Sequence, residues 1–236
     1  MPRLCPLISV FLLSLLSACS GTYRAYKTMY DVALTAAEDV TLNYAAIINA
    51  KHDYLYVRRG DRPQVALALR YIEQNQLKWI SADNGMLITN SGRIVRTLGL
   101  ENDLLHLTNK AADPLLQPFT INAASGWLRL ADWQLGEYGY QIRSQFQIES
   151  GHSLAFFGHE LPVIKVTETL RYENDANFVR FDANWQNIFW LEAKSGEVLK
   201  TQQQLQPGAE VFELTFITEA SRQLAAAGIT VDAEAI

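Results

Sequence analysis

The chain has 236 residues, with 20 Lys and Arg residues against 25 Asp and Glu residues and a formal net charge of −5. This weakly acidic balance, with no block of basic residues, argues against a nucleic-acid-binding protein, which needs several clustered phosphate contacts. A single domain of this size buries roughly 70% of its unfolded surface and needs no disulfides to be stable.

The N-terminal segment has the layout of a cleaved secretory signal. One arginine is followed by an apolar stretch from Leu7 to Leu16, about half of the roughly 20 apolar residues that a membrane-spanning helix needs. The order Leu16-Ser17-Ala18-Cys19 resembles the lipobox of bacterial lipoproteins, whose cysteine carries a diacylglycerol and acyl chains such as palmitate. We therefore predict a signal peptide at residues 1–18 and a mature chain that starts at Cys19. The alternative is an ordinary signal peptide followed by a chance cysteine.

The lipid and the residue beside it indicate where the mature chain resides. Several buried acyl chains, at about 0.8 kcal/mol per methylene, hold a protein on a bilayer that one chain binds only marginally. Ser20, rather than an aspartate, follows Cys19, and by resemblance this implies the periplasmic face of the outer membrane.

The mature composition leaves few groups for metal or thiol chemistry. Removal of residues 1–18 takes away one arginine, so 19 basic against 25 acidic residues give a net charge of about −6. Because Cys5 leaves with the signal and Cys19 carries lipid, the mature chain has no thiol for a disulfide, a nucleophile or a metal site. Histidines without ligand spacing occur at His52, His106, His152 and His159. We place the last two at opposite ends of one strand and expect no metal and no other cofactor.

Hydrophobic periodicity predicts two helices and then strands. Helical spacing covers Tyr23–Ala37 and Leu42–Asn49, the second capped by Asp39 or Thr41. From Asp53 to Leu100 the period alternates, and turn residues at short spacing predict a meander of about five strands.

The second half of the chain continues the strand pattern after a long connection or lid at residues 101–126. Further strands are predicted at Trp127–Leu135, Tyr138–Ile148, Ser153–Phe157, Val163–Tyr172, Phe178–Asn184, Ile188–Glu192, Val198–Leu205 and Val211–Ile217. A short helix over Glu219–Ala227 ends the pattern. With no repeat or linker to divide it, the chain at residues 19–236 is predicted to form one lipid-anchored β-rich domain.

Several segments carry a resemblance to a known family. Tyr71–Glu73, Lys78–Thr89 and Trp185–Trp190 are similar to the YjbF/GfcB family of lipoproteins. The hairpins and the junction of that family have counterparts at Asn90–Arg93, Asp113–Leu115 and Ser195–Val198. The resemblance covers nearly the whole mature chain. It implies an antiparallel β-sandwich or half-barrel with an N-terminal helical segment and a few short helices.

The resemblance also implies a role. Genes of this family lie in operons for group 4 capsule or related exopolysaccharide secretion, beside an outer-membrane β-barrel protein and a periplasmic partner. We expect a non-enzymatic accessory in polysaccharide export or assembly, with those two proteins and the polysaccharide itself as candidate partners. The family provides no catalytic residues to transfer, so Cys19 is the one functional position that carries over.

Aromatic and amide side chains on the predicted strands are candidate contacts to a glycan or a partner protein, because rings and amides suit sugar faces and hydroxyls. The candidates are Trp185, Gln186, Asn187, Trp127, Trp133 and Tyr138. The alternatives are a satisfied turn for the amides and, for Trp79 and Trp190, a place in the core.

Two other classes remain open, a glycan-binding or glycan-modifying periplasmic protein and a lipid carrier. Paired carboxylates in a groove lined by tryptophan would indicate the first, and an enzyme on glycans would place them about 5 to 10 Å apart. A carrier would need an empty apolar cavity and no polar groove. Clustered carboxylates occur at Glu160, Glu168, Glu173 and Asp175. We place Glu168 on the strand face opposite Val163 and Thr167, as a solvated position.

Replacing Cys19 by Ala is expected to release the protein from the membrane fraction, because the thiol that would carry the lipid is lost. Fractionation of cells followed by immunoblotting measures this. Retention of the Cys19→Ala variant on the membrane would show that the anchor lies elsewhere.

Overall fold

The computed structural model describes residues 38–173 and 184–236. The predicted signal peptide, Cys19, the predicted helix Tyr23–Ala37 and nearly all of the predicted strand Phe178–Asn184 lie outside these residues. The described residues form twelve strands: β1 (Tyr54–Arg59), β2 (Val65–Glu73), β3 (Gln76–Ile80), β4 (Met86–Asn90), β5 (Arg93–Leu98), β6 (Leu104–Leu107), β7 (Gly126–Trp133), β8 (Tyr140–Phe156), β9 (His159–Tyr172), β10 (Asn184–Glu192), β11 (Val198–Gln204) and β12 (Val211–Thr215).

These strands make one sheet that curls into a nearly closed barrel. Their order is β5-β4-β3-β2-β1-β12-β11-β10-β9-β8-β7-β6, and the hydrogen-bonded neighbours run antiparallel. The two edge strands, β5 and β6, lie side by side. At this seam the Thr97 hydroxyl donates to Asp103 and accepts from the backbone N–H of Leu104. The prediction of a mainly antiparallel β fold is confirmed, and the curled single sheet is nearer to the half-barrel than to the sandwich.

In the part of the chain that the structure describes, two α-helices flank the sheet, α1 (Tyr44–Ile48) and α2 (Ile217–Ala226). The cap of α1 is Asn43, whose side chain accepts from the backbone N–H of Ala46 at 2.8 Å. The predicted caps Asp39 and Thr41 are wrong because the helix begins later than the apolar pattern does. Asp39 instead accepts from Arg58 and from the backbone of Gln64. No helix among the described residues is long and apolar enough to cross a membrane.

The sheet is buried on both faces along part of its width. Leu55 and Val57 of β1 point into the barrel, while Tyr56 between them packs outside with residues of α1 and α2. All three residues are therefore buried, although a strand with alternating apolar and polar residues would leave one face exposed to solvent. The barrel interior and the layer under the helices thus form two separate apolar cores.

Turn chemistry defines the hairpins. The predicted five-stranded meander is confirmed as β1 to β5, and Ser91 and Gly92 take the positive φ values of 44° and 77° that the β4–β5 turn requires. A Cβ on Gly92 would lie 2.5 Å from Val198 Cγ1, so this turn packs directly against the start of β11.

Two details of the β8–β9 hairpin differ from the prediction. Strand β8 is continuous through the two predicted strands, because a register shift between Glu149 and His152 accommodates the extra residues. His152 and His159 lie on β8 and β9 rather than at opposite ends of one strand. The reason is a turn at Phe157 and Gly158, where φ is 51° and 77°.

The predicted long connection folds across one end of the barrel. It contains β6 and three 3₁₀ turns, at Lys110–Ala112, Pro114–Leu116 and Pro118–Thr120. The side chains of Asp113, Leu115 and Ile121 are buried, so this segment is packed rather than loose. The β4–β5 and β10–β11 turns and the start of α2 lie at the same end.

Edge strand β5 has a surrogate neighbour in Gln203 of β11. The Gln203 Oε1 atom accepts from the backbone N–H of Ile94 at 2.9 Å, and Nε2 donates to the Gly92 carbonyl at 2.8 Å. The side chain is 1% exposed. One amide therefore supplies the donor and the acceptor that an adjacent strand would supply.

Replacing Gln203 by Leu is expected to lower the free energy of unfolding by about 2 to 6 kcal/mol, because two buried backbone groups lose their partners at about 1 to 3 kcal/mol each. Urea unfolding followed by circular dichroism measures the loss. The matched control is Gln202→Leu, whose side chain bonds Glu213 on the outer face. Equal losses in the two variants would refute the special role of Gln203.

Candidate functional site

The sequence-predicted tryptophans lie in the barrel interior. Trp127, Trp133 and Trp185 are 2%, 2% and 5% exposed, and they pack with the other side chains of the inner core. Asn187 is also buried, and its Oδ1 accepts from the backbone N–H of Gln204 at 2.8 Å. In this conformation no external ligand reaches these four side chains.

Two predicted contacts are accessible. Tyr138, in the turn between β7 and β8, is 64% exposed, and Gln186 lies on the outer side of β10, where it donates to Thr169. For both, a role in contact with a ligand stays a prediction. Trp79 is core, as the alternative held: it is 2% exposed and its indole N–H donates to Thr89. Trp190 is half-buried in the outer layer.

A charge cluster inside the barrel was not predicted. Arg93, at the start of β5, is 2% exposed. Its Nε lies 2.5 Å from Asp113 Oδ2, and its Nη1 lies 2.5 Å from Glu168 Oε2. One guanidinium thus joins β5 to the connection that crosses the barrel end and to β9.

Glu168 is the second centre of the cluster, and the prediction that it is solvated is wrong. It does lie opposite Val163, but that face of β9 is the barrel interior, where Glu168 is 0% exposed. Its Oε1 accepts from the Ser144 hydroxyl at 2.5 Å and lies 3.3 Å from Nη1 of Arg129. The outer face of β9 is buried against the helix layer only at its start, where Val163 lies, and Thr169 on the same face is exposed. The buried Val163 therefore led the sequence analysis to misidentify the solvent-exposed side.

Aromatic rings complete the surroundings of both guanidiniums. The Trp127 ring centre is 4.6 Å from Cζ of Arg93 and 4.0 Å from Cζ of Arg129, and Phe189 lies 5.0 Å from Arg93. Such contacts stabilise desolvated cations. Trp127 therefore has a defined role, as a platform for two arginines in the core.

In this cluster the pKa values reflect two opposing effects, burial, which disfavours the charged forms, and ion pairing, which favours them. Burial alone would lower the pKa of Arg93, but the carboxylates of Asp113 and Glu168 outweigh it and raise that pKa. Burial lowers the pKa of Arg129 to about 10, against the opposing charge of Glu168. Burial would raise the pKa of Glu168, yet the charges of Arg93 and Arg129 hold it below its ordinary value of 4.5. At neutral pH two cations and two anions compensate one another.

The charge cluster connects strands of the barrel and leaves little space for a substrate beside it. A cavity of about 20 Å³ beside Arg93, Arg129 and Trp133 has space for about one water molecule. The other predicted carboxylates do not meet. Glu160 at the start of β9 and Glu173 after its end are separated by roughly 40 Å of strand. Asp175 lies outside the described residues, and among those described no group of three or more acidic, His or Cys side chains could hold a metal ion.

An open groove lies at the barrel end that the long connection crosses. One cavity of about 440 Å³ is walled by the starts of β1 and α2 and by the ends of β2 and β12. A second, of about 390 Å³, lies against residues 115–120. The two adjoin along Ser91, Glu197 and Val198, which line both. We call this combined surface the end groove.

The end groove has an acidic middle. Asp53 and Glu219 are engaged by Arg222, whereas Glu197 has no side-chain partner among the described residues. Partial burial raises the pKa of Glu197, and the nearby charge of Glu219 adds to this effect. Trp79 lines the same cavity as these carboxylates. The pair formed by Glu197 and Glu219 was not predicted from the sequence, because these two carboxylates are 22 positions apart and lie in different parts of the fold.

Comparison with known proteins gives consistent matches. Residues 27–217 match the family described as group 4 capsule polysaccharide lipoprotein gfcB, YjbF. The chain is 29% identical over 216 residues to the uncharacterized lipoprotein GfcB of Escherichia coli K12, covering 91% of this chain and 98% of that protein. It is 28% identical over 212 residues to the uncharacterized lipoprotein YjbF of the same strain, covering 89% and 95%.

A solved structure is also similar. The crystal structure of the hypothetical lipoprotein YmcC from Escherichia coli K12 matches with a TM-score of 0.67 and 29% sequence identity. The match covers 83% of this chain and 93% of that one.

Replacing Glu168 by Gln is expected to lower the free energy of unfolding by about 3 to 5 kcal/mol, because two buried arginines lose their shared counter-charge. Urea unfolding at neutral pH measures the loss. The exposed Glu160→Gln control should stay within about 0.5 kcal/mol of the parent. A small effect for Glu168→Gln would show that the cluster contributes little to stability.

The difference between the parent and Glu168→Gln should also depend on pH. Because the folded-state pKa of Glu168 is lowered, its stabilising contribution is present above pH 4.5 and is lost as the pH falls through the folded value. The two unfolding free energies should therefore converge in acid. Parallel curves from pH 7 to pH 3 would contradict this assignment.

Proposed function

Because the chain belongs to the YjbF/GfcB family of group 4 capsule polysaccharide lipoproteins, we propose that it is anchored by Cys19 on the periplasmic face of the outer membrane. There it acts as a non-enzymatic accessory in capsule or exopolysaccharide export or assembly. Its direct protein partner is an outer-membrane β-barrel export protein, with a periplasmic protein as a second partner.

The observation that carries this proposal is the filled barrel. Packed apolar side chains and the charge cluster around Arg93 and Glu168 occupy the interior. The inner cavity of about 20 Å³ is far smaller than the roughly 300 to 1,000 Å³ of typical ligand sites. This weighs against a lipid carrier, which needs an empty apolar cavity. Function therefore lies on the outside of the barrel.

The support for a non-enzymatic role comes from the same cluster. Glu168 combines complete burial with a shifted pKa, as catalytic carboxylates often do. Its oxygens, however, are bound by Arg93, Ser144, Arg129 and Asn187, which lie on β5, β8, β7 and β10. These contacts leave Glu168 committed to holding five strands and a connection in place.

Strand β7 offers a surface for the protein partner. Leu128 and Leu130 point outward and are each 36% exposed, and the turn that follows presents Leu135 at 67% and Tyr138 at 64%. Apolar side chains that collect along one strand and its turn suit contact with another protein. Tyr138, already a predicted contact, lies at the end of this stretch.

The test is a pull-down of the lipidated, detergent-solubilised protein from cells that make the polysaccharide. We expect recovery of an outer-membrane β-barrel protein, with an affinity reduced about thirtyfold or more by the double change Leu135→Ser and Tyr138→Ser, since loss of each interface anchor costs more than about 1 kcal/mol. The control is Ile48→Ser, which changes a side chain of similar exposure, 54%, on α1. Equal capture by both variants would refute this surface, and capture of sugar with no protein partner would refute the accessory role.

A further inference from the structure

We propose that the end groove is a binding site for a chain of sugar residues, in particular a hydroxyl-rich stretch without acidic groups. This inference rests on the proposed role in polysaccharide assembly and adds direct contact with the polymer.

The dimensions of the end groove suit a chain better than a single small molecule. Each of its two cavities, about 440 and 390 Å³, falls within the range of ligand sites. They adjoin along Ser91, Glu197 and Val198, so a ligand that occupies both must pass Glu197. The groove is open to the outside, as the approach of a polymer requires.

Each of the two cavities has an exposed apolar side chain in its lining. Phe119 is 58% exposed, although one side of it lies on Gly196, where an added Cβ would come within 3.0 Å of the ring. Ile72, at the other cavity, is 65% exposed. A fixed ring with an open side is what the apolar face of a sugar stacks on. Phe119 is thus held in place for a contact that the protein itself does not make.

Polar groups without partners in the described part of the chain line the same groove. Among the described residues, the side chains of Asn75, Ser91, Gln117 and Glu197 make no hydrogen bond or ion pair, and all four line the groove. Amide, hydroxyl and carboxylate groups are suitable donors and acceptors for sugar hydroxyls. The carboxylate is the most significant of them, because a hydroxyl that donates to it makes a charge-assisted bond.

The charge of the groove decides between ligand classes. Arg222 forms ion pairs with Asp53 and Glu219. Together with Glu197 the groove has three carboxylates and one cation, which leaves two excess negative charges. A phosphate or uronate group placed beside Glu197 would meet like charge. An acyl chain would leave the polar groups without partners. A neutral sugar stretch can donate hydroxyl groups to Glu197 and stack on the ring of Phe119.

The test uses oligosaccharide fragments made by partial hydrolysis of the polysaccharide that the cells secrete. Their binding to the full lipidated protein in detergent is measured by titration calorimetry. Phe119→Ala should weaken binding about threefold to tenfold, and Glu197→Gln at least about tenfold. The matched controls are Ile48→Ala, of similar exposure, and Glu160→Gln, an exposed carboxylate on β9; both should bind as the parent does. Unchanged thermal unfolding shows that the variants remain folded.

The outcomes separate this inference from the proposed function. Undetectable binding by the parent protein, or equal binding by all variants, overturns the groove assignment. In either case the proposed function still stands if polysaccharide export fails in a Cys19→Ala strain and is normal in Phe119→Ala and Glu197→Gln strains. Crosslinking of the groove to a protein without sugar also overturns the inference. Fragment binding lost in the two groove variants alone supports it.

Discussion

Arg93 carries its charge inside the barrel, and much of the structure follows from the partners that this charge requires. A buried cation is tolerated only when counter-charges and hydrogen bonds replace its water. Asp113 and Glu168 supply the counter-charges, while Ser144, Arg129 and Asn187 complete the shell around Glu168. The cluster therefore fixes where the long connection crosses the barrel end. Since that connection also supplies residues 115–120 of the end groove, the buried charges and the outer surface are mechanically linked.

Local patterns predicted much of the fold, and long-range packing explains what they missed. Alternation and turn residues predicted the meander from β1 to β5 and the helix that became α2, because these signals act within a few residues. Alternation also predicted two faces for β9, but it could not say that the helices bury the start of the outer one, where Val163 lies. Glu168 was misplaced for that reason. Its contact with Arg93 joins positions 75 apart, a distance over which no local pattern operates.

The candidate site shows the same division between what local patterns predict and what long-range packing decides. The aromatic residues singled out from the sequence include three that became core, since a tryptophan on a strand looks alike whether it faces a ligand or a neighbouring strand. Trp79 does line a groove with Glu197 and Glu219, the combination that favours a glycan-binding protein. Because Trp79 is only 2% exposed, it forms part of the groove wall. The exposed ring of the groove is Phe119, which lies in a segment without hydrophobic periodicity. Cys19, the residue with the most specific local motif, lies outside the described residues.

The contact between Gln203 and β5 has a consequence for how the chain reaches this structure. Ile94 and Gln203 are 109 positions apart, and β5 emerges during synthesis long before β11. Until then β5 is paired with β4 on one side, and the backbone groups at the start of its other side lack Gln203. Such free edges invite pairing with other chains. Contacts this distant in sequence make closure slow. Chaperones or proteases that sample incomplete chains should therefore meet this protein mainly through its first five strands, and a chain truncated before β11 should never leave that vulnerable state.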